Sequence, residues 1–415
     1  MGAPAFKSSP GLDVMRVRED FPILQQPVYG RPLVFLDSAA SAQKPRAVIE
    51  AMNDLMTQDY ANINRGVYHL SQRATTLFEE ARAKVARFIN ATEQEVIFTR
   101  STTEAINLVA ATWGKRLEAG DEVLITELEH HANIVPWHLL QADRKFTLKA
   151  APIEDDGTID LDKFAALITP KTRLVSVTHM SNALGSILPV RDIIALAHAR
   201  GIPVLLDGSQ SVVHMPIDVR ALDCDFFVFT GHKLYGPTGI GVLYGKNALL
   251  NSMPPYQGGG DMIETVSISA STYRQAPNRF EAGTPAITEA VGLGAAIDYL
   301  ESFDRAELMA HEERLFAYMN ERLSQIDGLR IYGSGANRGA LVSFTMEGVH
   351  PHDIGTIIDH AHSVAIRVGH HCAQPLMARL GLAATARASL GIYNTRQDID
   401  VLADALEEVR EMFAR

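Results

Sequence analysis

Between residue 33 and about residue 245, short apolar runs alternate with stretches of helical periodicity, and this alternation constrains the fold more than any other feature of the chain. Residues 33–37, 95–99, 122–126, 146–149, 173–178, 203–207 and 225–230 read as strands. Helical patterns cover 45–58, 71–90, 105–113 and 191–200. Such alternation predicts an α/β fold, a large mostly parallel sheet flanked by helices. Residues 240–244 return after only a Gly/Pro turn and are expected as an antiparallel neighbour of the preceding strand. Past Arg330 short strands (339–345, 365–368) mix with amphipathic helices (352–361, 397–413), which reads as a smaller α+β domain. The expected division is a large domain over 33–303 and a discontinuous small domain from 1–32 and 304–415. Residues 1 to about 12, rich in Gly, Ala, Pro and Ser, read as a loose tail.

Composition narrows the function classes. A chain of 415 residues with 47% hydrophobic and 21% charged residues is ordinary for a soluble globular protein. A net charge of −11 argues against nucleic-acid or anionic-membrane partners, which call for a basic face. Two cysteines, Cys224 and Cys372, make no disulfide framework and show no metal-ligand spacing, so no metal is expected. The first ten residues lack an apolar signal core and no run approaches membrane-spanning length, so a reducing cytoplasm is the expected compartment.

In a parallel sheet, ligands sit at the carboxyl ends of the strands. The run Phe226–Thr230 ends in Gly231-His232-Lys233, delivering a lysine to such an end. There the lysine either snorkels to the surface or loses hydration, which disfavours its ammonium form and suits it to a Schiff base with an aldehyde cofactor. Other polar residues fall at the same edge. Thr102 and Thr103 open a helix after residues 95–99, as plain capping residues or as part of an anion cup. His130, Asn182 and Asp207 each follow a strand, and each alone could be a surface or capping residue. Five such placements at one edge are hard to explain as capping.

The smaller domain carries Arg367-Val368-Gly369-His370-His371-Cys372. Cys372 stands in a Gly/His loop ahead of a helix expected over 375–380, a setting that favours a reactive thiolate. Cys224, beside a buried strand, reads as a small hydrophobe. Arg387 lies at an apolar strand end, suited to a two-pronged grip on a carboxylate.

Taken in order, Glu129-His130-His131-Ala132-Asn133, Leu206-Asp207-Gly208-Ser209-Gln210, Thr230-Gly231-His232-Lys233-Leu234-Tyr235-Gly236, Phe280-Glu281-Ala282-Gly283-Thr284-Pro285 and Arg367 to Cys372 resemble the pyridoxal-phosphate-dependent cysteine desulfurases. The likeness is closest to the SufS-type second group of these desulfurases, within the class V aminotransferase family, and runs from about Asp20 to about Met412. Asn64, Ser101, Ser209 and Val368 depart from the usual residues, each by a small change.

The resemblance implies pyridoxal-phosphate fold type I and pyridoxal 5′-phosphate as cofactor, with Lys233 as its Schiff-base lysine. It implies Asp207 at the ring nitrogen, Gln210 at the phenolic oxygen and His130 stacked on the ring as proton carrier. Thr102, Thr103, Thr230 and His232 would hold the phosphate, with Thr284 reaching it from the second subunit of a homodimer. Asn182 and Arg387 would bind the substrate carboxylate, with Arg367 at the entrance. Cys372 would take sulfur from L-cysteine as a persulfide, release L-alanine, and pass the sulfur to a SufE-like or SufU-like acceptor for iron–sulfur cluster assembly. The alternatives are a selenocysteine lyase acting on L-selenocysteine, another fold-type-I aminotransferase, and a catalytically silent scaffold.

Overall fold

The structure, a computed structural model, describes residues 12–414. The expected tail lies outside these residues except at its last position. Seven strands form the large sheet: β1 (Val96–Thr99), β2 (Glu122–Thr126), β3 (Thr147–Ala151), β4 (Thr172–Thr178), β5 (Val204–Asp207), β6 (Phe226–Thr230) and β7 (Gly241–Gly245). Their spatial order is β1-β7-β6-β5-β4-β2-β3. All run parallel except β7, which is antiparallel to both β1 and β6. The short turn after β6 leaves no room for a crossover helix, so the chain must return antiparallel. Strands β1, β2, β5, β6 and β7 are buried along their whole length, which is why they read as continuous apolar runs and not as alternating ones.

Helix α1 (His69–Phe88) packs on α4 (Ile287–Glu301) on one side of the sheet, and α2 (Thr102–Thr112) with α3 (Val135–Arg144) forms part of a second apolar cluster. Helix α3 was not anticipated. It starts from a polar loop with Pro136 in its first turn, and its apolar positions are too few to set a period.

Beyond α5 (Arg305–Ser324) an antiparallel sheet of order β8-β9-β11-β10 is built from β8 (Leu329–Tyr332), β9 (Leu341–Met346), β10 (Arg367–Gly369) and β11 (Thr385–Ser389). It shares one apolar core with α5, α6 (Pro351–His362) and α7 (Arg396–Phe413). The strand expected at 33–37 forms over Val34–Phe35 and pairs with Val364–Ala365, not with the large sheet. Val34 and Leu36 are buried in the core of the smaller sheet. Phe21 bridges the two parts, with ring contacts to Tyr235 at 6.0 Å and Tyr393 at 4.7 Å. Among the described residues no helix is long and apolar enough to cross a membrane.

Arg82 of α1 is 1% exposed and anchors the β1 edge. It bonds both carboxylate oxygens of Glu281, at 2.7 and 2.9 Å, and the Val96 carbonyl at 2.9 Å. Glu281 also accepts the Phe98 amide at 2.7 Å. Arg82→Ala strands that carboxylate in the interior and is expected to cost about 3–5 kcal/mol. Thermal unfolding of the variant checks this; the double change Arg82→Met with Glu281→Leu is expected to recover most of the loss.

Candidate active site

A cleft opens at the carboxyl edge of the large sheet and is closed on one side by the smaller sheet. The cleft brings together every site residue expected from the sequence except Thr284. Thr284 lines a separate depression with Arg100, Tyr256 and Glu289.

One end of the cleft is built for an anion. Thr102 and Thr103 open α2, and their amides make no hydrogen bond among the described residues. Free amides at a helix start attract negative charge. Ser101 caps the helix, accepting the Glu104 amide at 3.3 Å. Strand β7 passes directly behind this turn: a Cβ at Gly241 would stand 2.6 Å from the Ser101 backbone, so only glycine fits. Thr230 and His232 close the same end, and burial with Lys233 and Lys44 nearby pushes the His232 imidazole down to about 4. The Thr102 hydroxyl is less available than expected. Ser209 gives its proton to Asp207 at 2.6 Å, so in the 2.8 Å contact between the two hydroxyls Thr102 must be the donor.

The middle of the cleft holds the titrating groups. Asp207, 4% exposed at the end of β5, receives both the amide and the hydroxyl of Ser209 on Oδ1, at 2.9 and 2.6 Å. Gln210 gives one amide proton to the Ala39 carbonyl at 2.9 Å, leaving a second to offer. His130 accepts the Ala132 amide on Nδ1 at 3.0 Å. Burial, with Lys233, His131, Arg367 and Arg387 around it, pushes its imidazole down to about 3. The ring is therefore neutral near pH 7, with its one proton on Nε2. Burial likewise pushes the Lys233 amine down to about 8; Asp207 resists the shift and Arg387 and Arg367 add to it.

The third region lies on the smaller sheet. Arg387 is 1% exposed, donates to the Asn182 carbonyl at 2.7 Å and pairs with Asp37 at 3.1 Å. Its Nε is buried and has no partner. Burial pushes the guanidinium down to about 10 and raises the Asp37 carboxyl. Arg367 points an amino group at the Cys372 sulfur, 3.9 Å away. Cys372 is half-buried in a sharp turn in which His371 and Cys372 both have φ of 54°. Two successive non-glycine residues in this left-handed region cost about 1–2 kcal/mol each, so contacts outside the turn must hold it. Those contacts include the Asn182 side-chain amide on the His371 carbonyl at 2.7 Å and the His131 amide on the Cys372 carbonyl at 2.7 Å. Cys224 is fully buried and its thiol is pushed up by burial.

Sequence reasoning missed Asp37 and left Ser209 and His131 without a role. Asp37 acts across 350 residues of chain, so nothing local marks it.

The residues present fit pyridoxal phosphate. Free helix-start amides face one end of the cleft, a buried carboxylate and a lysine of lowered pKa occupy the middle, and an unpartnered guanidinium nitrogen lies in the wall. The chain belongs to the class-V aminotransferase family, whose model matches residues 34–402; the family is pyridoxal-phosphate-dependent. It is 50% identical over 404 residues to a probable cysteine desulfurase of Halalkalibacterium halodurans, covering 97% of this chain and 99% of that one. It is 50% identical over 400 residues to a cysteine desulfurase of Dickeya dadantii, covering 96% and 97%. The crystal structure of the Escherichia coli cysteine desulfurase CsdA superposes with a TM-score of 0.90 at 39% identity, covering 97% of this chain and 99% of that one.

Proposed function

We propose that this chain is a pyridoxal-phosphate-dependent cysteine desulfurase that moves the sulfur of L-cysteine onto Cys372 and releases L-alanine. The observation that carries the reading is the meeting, in one cleft, of an exposed-edge thiol, a buried arginine and a lysine whose amine is pushed down to about 8. Brief exposure to L-cysteine followed by mass spectrometry of the Cys372 peptide tests it: the peptide should gain one sulfur atom.

Pyridoxal phosphate, when bound, supplies an aldehyde that joins amines and a ring that draws electrons from the carbons of the substrate. Lys233 would be the amine that anchors it, Asp207 would hold the ring nitrogen and Gln210 the phenolic oxygen. Thr102, Thr103, Thr230 and His232 would seat the phosphate, and Thr284 would serve the cleft of a second copy in a homodimer. Arg387 and Asn182 grip the substrate carboxylate, and Arg367 guards the entrance. The Cys372 thiolate donates an electron pair to the substrate sulfur: an S–S bond forms and the C–S bond breaks. His130, neutral and protonated on Nε2, moves protons between heteroatoms and carbon. The cleaved electron pair ends in a C–H bond of alanine. The outer sulfur of the persulfide then passes to an acceptor of SufE-like or SufU-like type for iron–sulfur cluster assembly, in a reducing cytoplasm; the S–S bond breaks and Cys372 leaves as the thiolate.

Two expectations follow from the charges. Arg387→Lys removes the fork but keeps a cation, and is expected to raise KM for L-cysteine about 10- to 100-fold, read from steady-state alanine production. Lys233 reacts only as the free amine, and in the folded protein that form grows as pH rises through about 8. Capture of added pyridoxal phosphate by the apoprotein should therefore quicken from pH 7 to pH 9, followed by the visible absorbance of the bound cofactor. The same shift carries a stability sign. The folded value lies below the ordinary 10.5, so the unfolded chain binds more protons between the two values and this group favours folding increasingly as pH rises through that window.

A further inference from the structure

The Cys372 turn is held from outside by one residue that the chemistry above leaves unused. His131 makes two hydrogen bonds to it. Its amide donates to the Cys372 carbonyl at 2.7 Å, and its ring Nε2 accepts the Gln374 amide at 3.1 Å. The two bonds fall on Cys372 itself and on the residue two places after it. On the solvent side the His370 ring sits 5.5 Å from the His131 ring, and His370 Nδ1 accepts the Cys372 amide at 3.1 Å. Because His131 follows His130 directly, whatever fixes His131 also fixes the turn relative to the proton carrier.

We propose that His131 is a positioning residue for sulfur transfer, its ring nitrogen holding the Cys372 turn in register with His130. The proposal rests on the reading of Cys372 as sulfur acceptor. The ring works only as a neutral acceptor, since an N–H at Nε2 would face the Gln374 N–H. The titratable groups facing it are His130, His370 and Cys372. Burial, and after it His370, disfavours its protonation. The backbone strain at His371 and Cys372 gives the bond its purpose, because a turn in that conformation relaxes once a tether is cut.

The test uses the holoenzyme and two substitutions. His131→Phe keeps the ring shape and deletes the acceptor; His131→Gln places a side-chain oxygen where it can accept the Gln374 amide. Iodoacetamide labelling of Cys372, located by mass spectrometry, reads the turn without turnover. In His131→Phe labelling is expected to rise about five- to tenfold, the scale of one lost hydrogen bond. The kcat for alanine release should fall by a similar factor, with KM for L-cysteine within about twofold of wild type. His131→Gln should recover most of both. Where the phenylalanine variant does not fold, His131→Ala takes its place with the same expected rise. Wild-type labelling and kcat in the acceptor-less variant would overturn the proposal, as would a glutamine variant no better than phenylalanine, or loss of the bound cofactor's absorbance. Cys372→Ala run alongside separates the two readings: if it still releases sulfide from L-cysteine, the acceptor role of Cys372 fails, while labelling of the histidine variants still reports on the turn.

Discussion

Cys372→Ala is expected to lower alanine release from L-cysteine by about a thousandfold or more, with the absorbance of bound cofactor intact. Among the described residues lining the cleft Cys372 is the only thiol, the group suited to take the substrate sulfur as a nucleophile. Its removal leaves Asp207, Lys233 and His130 in place and uncovers little buried surface, because Cys372 is only half-buried. Loss of turnover with retained colour is therefore a chemical effect and not an unfolding one. An aminotransferase would ignore the change and would consume a keto acid. Activity of the variant on L-selenocysteine beside inactivity on L-cysteine would mark selenium release as a route independent of the thiol.

Lys233→Ala should have the second large effect. Borohydride treatment of the wild-type holoenzyme is expected to fix the cofactor to the Lys233 peptide. In the variant no such adduct should form, and alanine release should fall by about a thousandfold or more. The free amine is available at moderate pH because burial pushes it down to about 8, where an ordinary lysine would remain charged. Retained phosphate contacts at the start of α2 should still let the variant bind the cofactor non-covalently. Loss of the covalent adduct with retained weak binding separates the role of the amine from that of the anion seat.

Much of the large sheet was legible because its strands are buried on both faces. Phe226–Thr230 can hardly be anything but an inner strand, and a lysine three residues past its end must stand at the sheet's carboxyl edge. The same reasoning placed Asp207, His130 and Thr102. What stayed hidden depends on contacts between distant parts of the chain. Val34–Phe35 has the composition of any short strand, and only its parallel pairing with Val364–Ala365 assigns it to the smaller core. The Asp37–Arg387 pair and the two bonds between His131 and the Cys372 turn have no local signature either.

The burial of Cys224 has a practical consequence. Its sulfur is sealed beside β6 and held in the unreactive protonated form, so an electrophile added at neutral pH meets a single competent site. The unaltered polypeptide thus comes ready for site-selective spectroscopy: a fluorescent or spin probe attached at residue 372 would report how the sulfur-bearing turn moves without any cysteine having to be engineered away.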